Sequence, residues 1–222
     1  MGQMLELIAA DGFRLAAYRA DPVGAPRGGL VVAQEIFGVN SHIRSVGDGF
    51  AADGYAVIAP ALFDRHERGV DIGYTAADIA KGRELKALAQ TDAALRDIAA
   101  ARDALSATGK VAVIGYCWGG FIAWMAASRL TGFACAAPFY GGGMLDAADE
   151  QPQCPVMAHF GERDAMIPVS GVRKLAAAHP QAQVFTYDAD HGFNCDHRPS
   201  YDATAAKLAR ERTLRFLRQH IG

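Results

Sequence analysis

The fold is decided by Lys110-Val-Ala-Val-Ile-Gly-Tyr-Cys-Trp-Gly-Gly-Phe-Ile-Ala-Trp124. Val111 to Ile114 is a short apolar, β-branched run that reads as a buried strand. The chain then turns through Gly115, Tyr116, Cys117, Trp118 and Gly119. It leaves as a helix from Gly120 to about Arg129, with Phe121, Ala123, Trp124 and Ala127 available to pack on a sheet. Small residues two before and two after a central side chain mark a strained strand-to-helix elbow, which holds that side chain above the sheet. The usual nucleophile at such an elbow is Ser; here the pattern is Gly-x-Cys-x-Gly around Cys117. The thiolate is the reactive form of cysteine, and a helix N-terminus behind it favours the negative charge. The backbone N–H of Trp118 would face an oxyanion formed by attack on a carbonyl. The plain alternative is a buried cysteine in a tight turn.

Outward from the elbow, the chain alternates apolar strand-length runs with helix formers. Gly12 to Arg19 alternates apolar and polar residues, as an antiparallel edge strand does. Leu30 to Ala33 is a buried strand ending at Gln34-Glu35, and Tyr55 to Ala59 is the next, stopped by Pro60. Ser41 to Asp53 reads as a helix with Ser41 as N-cap. Ala61 to Tyr74 is irregular and rich in charge. Thr75 to Leu105 is a long helical stretch, with a break expected at Gly82 or at Gln90-Thr91. Beyond the elbow, Phe133–Tyr140, Pro155–Phe160 and Val184–Tyr187 are strands, and Val169–Ala178 and Tyr201–His220 are helices. This alternation predicts one α/β domain over 1–222, with a mostly parallel sheet covered by helices on both faces. In such sheets ligands bind beyond the C-terminal strand ends, where Glu35, Cys117, Asp164 and His191 all fall.

The bulk properties exclude several classes. The chain has 222 residues, 51% of them hydrophobic, and a formal net charge of −2. No basic stripe invites nucleic acid, and no apolar run is long enough to span a membrane. The start, Met1-Gly-Gln-Met-Leu-Glu-Leu, carries a charge where a signal peptide needs its apolar core. A cytoplasmic protein is expected, as a monomer or homodimer. Cys117, Cys135, Cys154 and Cys195 form no C-x-x-C pair and no expected disulfide framework. No two histidines have metal-ligand spacing on one helix, so no metal site is expected; His42, His66, His179, His197 and His220 have no matching partner.

A cysteine nucleophile needs a base, and the base an orienting group. Cys117, Asp164 and His191 occur in the order nucleophile, acid, histidine that α/β-hydrolases use. Asp188, Asp190 and Glu162 compete with Asp164, but a third member normally arrives from a different strand end.

At this point the chain resembles the dienelactone hydrolase family of the α/β-hydrolase superfamily. The pieces that carry the resemblance are Gln34-Glu-Ile-Phe-Gly-Val-Asn40, Gly115-Tyr-Cys-Trp-Gly-Gly120, Gly161-Glu-Arg-Asp164 and Asp190-His-Gly-Phe193. The resemblance implies an α/β-hydrolase fold without a large cap domain, a small ester or lactone substrate, and no cofactor. It implies Cys117 as nucleophile, Asp164 and His191 completing a triad, and an acyl-thioester intermediate. It also implies an oxyanion hole from the N–H groups of Ile36 and Trp118, with Glu35 as a further catalytic residue that touches the resting cysteine and takes part in its activation. A buried carboxylate there is costly unless hydrogen-bonded; Arg44 is the neighbour that could pair with it.

The sequence departs from the family where a substrate carboxylate would be held. The family's arginine four residues past the histidine is Cys195 here, and the other falls near Ile79, with Arg83 and Arg198 close to the two positions. With Phe37, Trp118 and Tyr140 lining the pocket instead, neutral esters or lactones are expected to react at least as well as carboxylated ones. Two other chemistries stay open: a peroxide-reactive Cys117 partnered by Cys195, and attack on other activated esters, phosphate esters among them.

Overall fold

The computed structural model describes residues 2–222; Met1, where the reading of the N-terminus begins, lies outside them. Eight strands form one sheet: β1 (Gln3–Ile8), β2 (Arg14–Ala20), β3 (Gly29–Ala33), β4 (Ala56–Pro60), β5 (Val111–Tyr116), β6 (Phe133–Phe139), β7 (Met157–Gly161) and β8 (Gln183–Tyr187). Their order across the sheet is β1-β2-β4-β3-β5-β6-β7-β8. The pairs β1–β2 and β2–β4 are antiparallel, and every other pair is parallel. Six helices connect them: α1 (Ser41–Ala52), α2 (Ala76–Leu88), α3 (Thr91–Ala104), α4 (Trp118–Arg129), α5 (Val169–Ala178) and α6 (Ala203–His220).

Every residue of β3, β4 and β5 is buried. Successive strand side chains point to opposite faces, so both faces of the central sheet are covered. Helices α3 and α4 pack together and both lie against β3, with α4 also on β5 and β6. Helix α1 packs on β2 and β4, α6 on β6 and β7, and an Arg210–Asp53 ion pair ties α6 to the end of α1. The continuous apolar runs of the central strands are the sequence consequence of this double burial. No helix among the described residues is long and apolar enough to cross a membrane.

Two expectations are corrected and two are narrowed. The strand read from Gly12 is not the edge: β1 pairs outside it, from Gln3↔Arg19 to Ile8↔Arg14. Five of the six β1 residues are exposed or half-buried, as suits a strand at the sheet edge. The cap of α1 is Asn40, whose side chain accepts from the N–H of Ile43, not Ser41. Strand β4 stops at Pro60 as read, with Pro60 its last residue, opposite Ala17 in the antiparallel ladder. Of the two breaks open in the long helical stretch, the one at Gln90-Thr91 is found, between Leu88 and Thr91, and the helix runs unbroken through Gly82. A Cβ at Gly82 would meet the Ile36 carbonyl oxygen at 2.3 Å. The glycine serves close approach of α2 to the β3 exit rather than a helix break.

Candidate active site

Cys117 stands between β5 and α4 with φ 55° and ψ −117°, a left-handed backbone that a non-glycine residue rarely adopts. The flanking glycines make the turn possible. A Cβ at Gly115 would lie 1.8 Å from the Gly119 carbonyl oxygen, and one at Gly119 would lie 2.2 Å from that of Ala33. The elbow therefore folds back on itself and onto the end of β3, carrying the thiol to the C-terminal rim of the sheet. Trp118 opens α4, so its N–H has no intrahelical partner. Its indole stacks on Phe63, with ring centroids 4.9 Å apart.

His191 follows β8 and reaches across the rim. Its Nε2 lies 3.2 Å from Cys117 Sγ, and its Nδ1 lies 2.7 Å from Asp164 Oδ2. Asp164 is fixed in turn: its Oδ1 accepts from the N–H groups of Met166 (2.8 Å) and Ile167 (3.2 Å). Asp164 is buried, whereas Glu162, Asp188 and Asp190 are exposed, Glu162 bonded to Thr186 and Asp188 paired with Arg163. Burial decides among the carboxylates. Burial also works against a charged imidazole at His191, but the hydrogen bonds to Asp164 and Cys117 outweigh it and lift the group to about 10. The arrangement favours a charged imidazolium at His191.

The thiol opens on a cavity of about 320 Å³ lined by Ile36, Phe37, Ile79, Arg83, Lys86, Cys117, Trp118, Gly142, Gly143, Met166, His191 and Arg198. Ile79, Arg83 and Lys86 recur at helical spacing, so they share one face of α2. Three cations thus border the cavity. Arg198 Nη1 lies 3.4 Å from Glu35 Oε1, and its guanidinium sits 5.8 Å from the Phe37 ring centroid. Phe37 and Trp118 line the cavity as expected, and Arg83 and Arg198, the residues close to the missing arginine positions, border it too. Cys195 is not the wall; Arg198, three residues on, turns into the cavity, and Arg83 lies one helical turn from Ile79 on the same face.

Tyr140 and Cys195, both expected on the pocket wall, lie behind it. Tyr140 is fully buried, with its ring 5.1 Å from that of His191, so it supports the imidazole from the side. Cys195 is 0% exposed, and burial first, then the Glu35 charge, push its thiol up to about 12. Glu35 is also 0% exposed. It faces Arg198 rather than Cys117, whose sulfur is turned to His191; Arg44 pairs instead with Asp71 at 2.8 Å. The four cysteines are free.

One grouping escaped sequence reasoning. His42, set aside for want of a partner, meets Glu35 and Cys195, and one ligand-type atom from each lies within 4.8 Å of the others. The three come from α1, the β3 exit and the loop after β8, so no sequence spacing announces them. Burial holds the His42 imidazole below its ordinary value despite Glu35 and Asp196 nearby. A neutral ring results.

The profile of the dienelactone hydrolase family matches residues 15–221. The chain belongs to the dienelactone hydrolase family. A Pseudomonas putida carboxymethylenebutenolidase is 33% identical over 93% of this chain and 92% of its own. A Synechocystis sp. protein provisionally given the same name is 36% identical over 98% and 96%. The crystal structure of a Klebsiella pneumoniae protein, provisionally described as a dienelactone hydrolase, superposes with a TM-score of 0.87 at 28% identity, covering 99% of this chain and 100% of that one. Membership makes this family member a dienelactone hydrolase-like hydrolase of carboxylic esters or lactones, on an α/β-hydrolase fold.

Proposed function

We propose that the protein opens carboxylate-bearing esters or lactones through an acyl-thioester on Cys117. The reading rests above all on one observation: the unbroken line Cys117 Sγ–His191–Asp164, at 3.2 Å and 2.7 Å, ending at a cavity bordered by cations. The thiolate attacks the carbonyl carbon, and the carbonyl oxygen takes the negative charge. The N–H groups of Trp118 and Ile36 hold that charge. As the C–O bond breaks, His191 gives its proton to the leaving oxygen, which in a lactone remains tethered as an alcohol. Water then attacks the thioester with its proton passing to His191, and the carboxylic acid and the thiolate–imidazolium pair are released. Asp164 keeps Nδ1 protonated, so that Nε2 is the nitrogen that exchanges the proton.

The substrate class follows from Arg83, Lys86 and Arg198. A guanidinium binds a carboxylate with two parallel hydrogen bonds, and Arg83 and Arg198 both border the cavity. The Pseudomonas relative's name specifies a carboxylated unsaturated lactone, which fits the same charge pattern. The mechanism is tested by rapid quench and intact mass with a slow aryl ester. Wild type should carry one acyl mass on the Cys117 peptide, and Cys117→Ala and His191→Ala should lose about 10³-fold or more in rate. Normal turnover by folded Cys117→Ala would overturn the proposal.

A further inference from the structure

Cations reach the hydrolytic cavity from two separate parts of the chain. Arg198 comes from the loop after β8 and lies 3.4 Å from Glu35. Arg83 and Lys86 come from α2, and both line the cavity. Three residues apart on a helix, they are surface neighbours with Cβ atoms about 5–6 Å apart. Among the described residues, no Asp or Glu lines the cavity with them. The carboxylates nearest in sequence are engaged elsewhere. Asp78 closes the capping box with Thr75, Glu67 pairs with Lys81 at 2.5 Å, and Glu84 adds its charge at Lys81. The depth of α2 over the cavity is fixed by its two buried residues, Gly82 and Leu85. A side chain at Gly82 would collide with the Ile36 carbonyl oxygen, so the helix backbone rests on the β3 exit.

We propose that Arg83 and Lys86 together bind a second carboxylate of the substrate, so that the preferred substrates are esters or lactones carrying two acid groups. The inference rests on the hydrolytic reading above and narrows its substrate class. Arg198 takes one carboxylate. The other lies between the Arg83 guanidinium, a planar fork that matches carboxylate geometry, and the Lys86 ammonium, a compact charge on a flexible stem. Lys86 is the specificity-determining residue, because a single carboxylate is already served by the two arginines. Arg83 and Lys86 are exposed at the cavity rim, so water and salt weaken each contact relative to a buried pair. The cavity, about 320 Å³, is at the small end of ligand sites and suits a compact diacid, with Phe37 and Trp118 against its apolar part.

The test compares kcat/KM of the full chain for three aryl acetates that share one acyl group. Phenyl acetate carries no carboxylate, 3-acetoxybenzoate carries one, and 5-acetoxyisophthalate carries two. Wild type should prefer the diacid to the monoacid about tenfold. Lys86→Met should lower that ratio roughly threefold, and Lys86→Arg should retain it, which a loss of packing alone would not produce. Arg83→Met serves in its place if Lys86→Met fails to fold. A wild-type ratio of no more than about twofold, the statistical advantage of two equivalent carboxylates, overturns the proposal. So does a ratio that folded Lys86→Met and Arg83→Met both leave at the wild-type value. Rapid quench with phenyl acetate and intact mass report the Cys117 acyl-enzyme separately. An acyl-enzyme with a flat ratio overturns this inference alone, whereas no acyl mass on Cys117 overturns the hydrolytic reading and this inference with it.

Discussion

Replacing Arg198 by Met separates two effects that its position couples. The guanidinium borders the cavity, and it is also the charge nearest Glu35, at 3.4 Å, with side-chain exposures of 18% and 0%. A charge-assisted hydrogen bond to a substrate carboxylate contributes about 1.5–3 kcal/mol. Its loss should lower kcat/KM for a carboxylated ester by roughly 10- to 150-fold at 1.4 kcal/mol per decade. The methyl ester of the same substrate should change little. The fold pays separately, because removing one partner strands a buried carboxylate. One-sided breaks of buried pairs cost roughly 3–5 kcal/mol, and the long contact argues for the lower end. Adding Glu35→Gln should restore much of the stability and none of the preference for the acid. The assay is kcat/KM for the matched acid and ester with wild type, Arg198→Met and the double variant, beside thermal unfolding of each. An acid-to-ester ratio that stays at the wild-type value in folded Arg198→Met refutes the assignment of Arg198 as the carboxylate partner.

Other consequences follow from the same geometry. Asp164→Asn preserves shape but favours the wrong imidazole tautomer, and kcat should fall about 10³- to 10⁴-fold; a smaller loss in steady-state kinetics would mean that Asp164 does not orient His191. Because His191 is raised to about 10, its charged form is favoured by folding. That stability is fully present below about 6.5, the ordinary histidine value, and is lost as pH rises through about 10. The stability difference between wild type and His191→Gln should therefore shrink between those limits, and a flat difference in denaturant unfolding would contradict it. Arg65 bonds Asp97, whose side chain is 0% exposed, at 2.9 and 2.7 Å. Arg65→Ala should destabilise by about 3–5 kcal/mol, lowering Tm by roughly 6–20 °C at 2–4 °C per kcal/mol; a shift under 2 °C in calorimetry would show that Asp97 finds another partner.

Much of this protein was legible in the sequence because much of it is local. The strand-elbow-helix turn around Cys117 needs only an apolar run, two glycines and a helix former, all within fifteen residues. The parallel strands announce themselves by continuous apolar runs, since both of their faces are buried. Asp164 and His191 could be chosen because strand ends of this fold converge on one rim. Tertiary structure decided what lines the cavity and what lies behind it. Helix α2 presents Arg83 and Lys86 to the thiol only because Gly82 docks on the Ile36 carbonyl, and the α2 sequence alone does not say which of its faces turns inward. Arg198 occupies the place expected of residue 195 because the loop after His191 turns Cys195 inward, beside Glu35 and His42. Those three residues are separated by up to 160 positions in the chain. Their meeting depends on how α1 and the last loop pack against the end of β3, and no local pattern encodes contacts of that range.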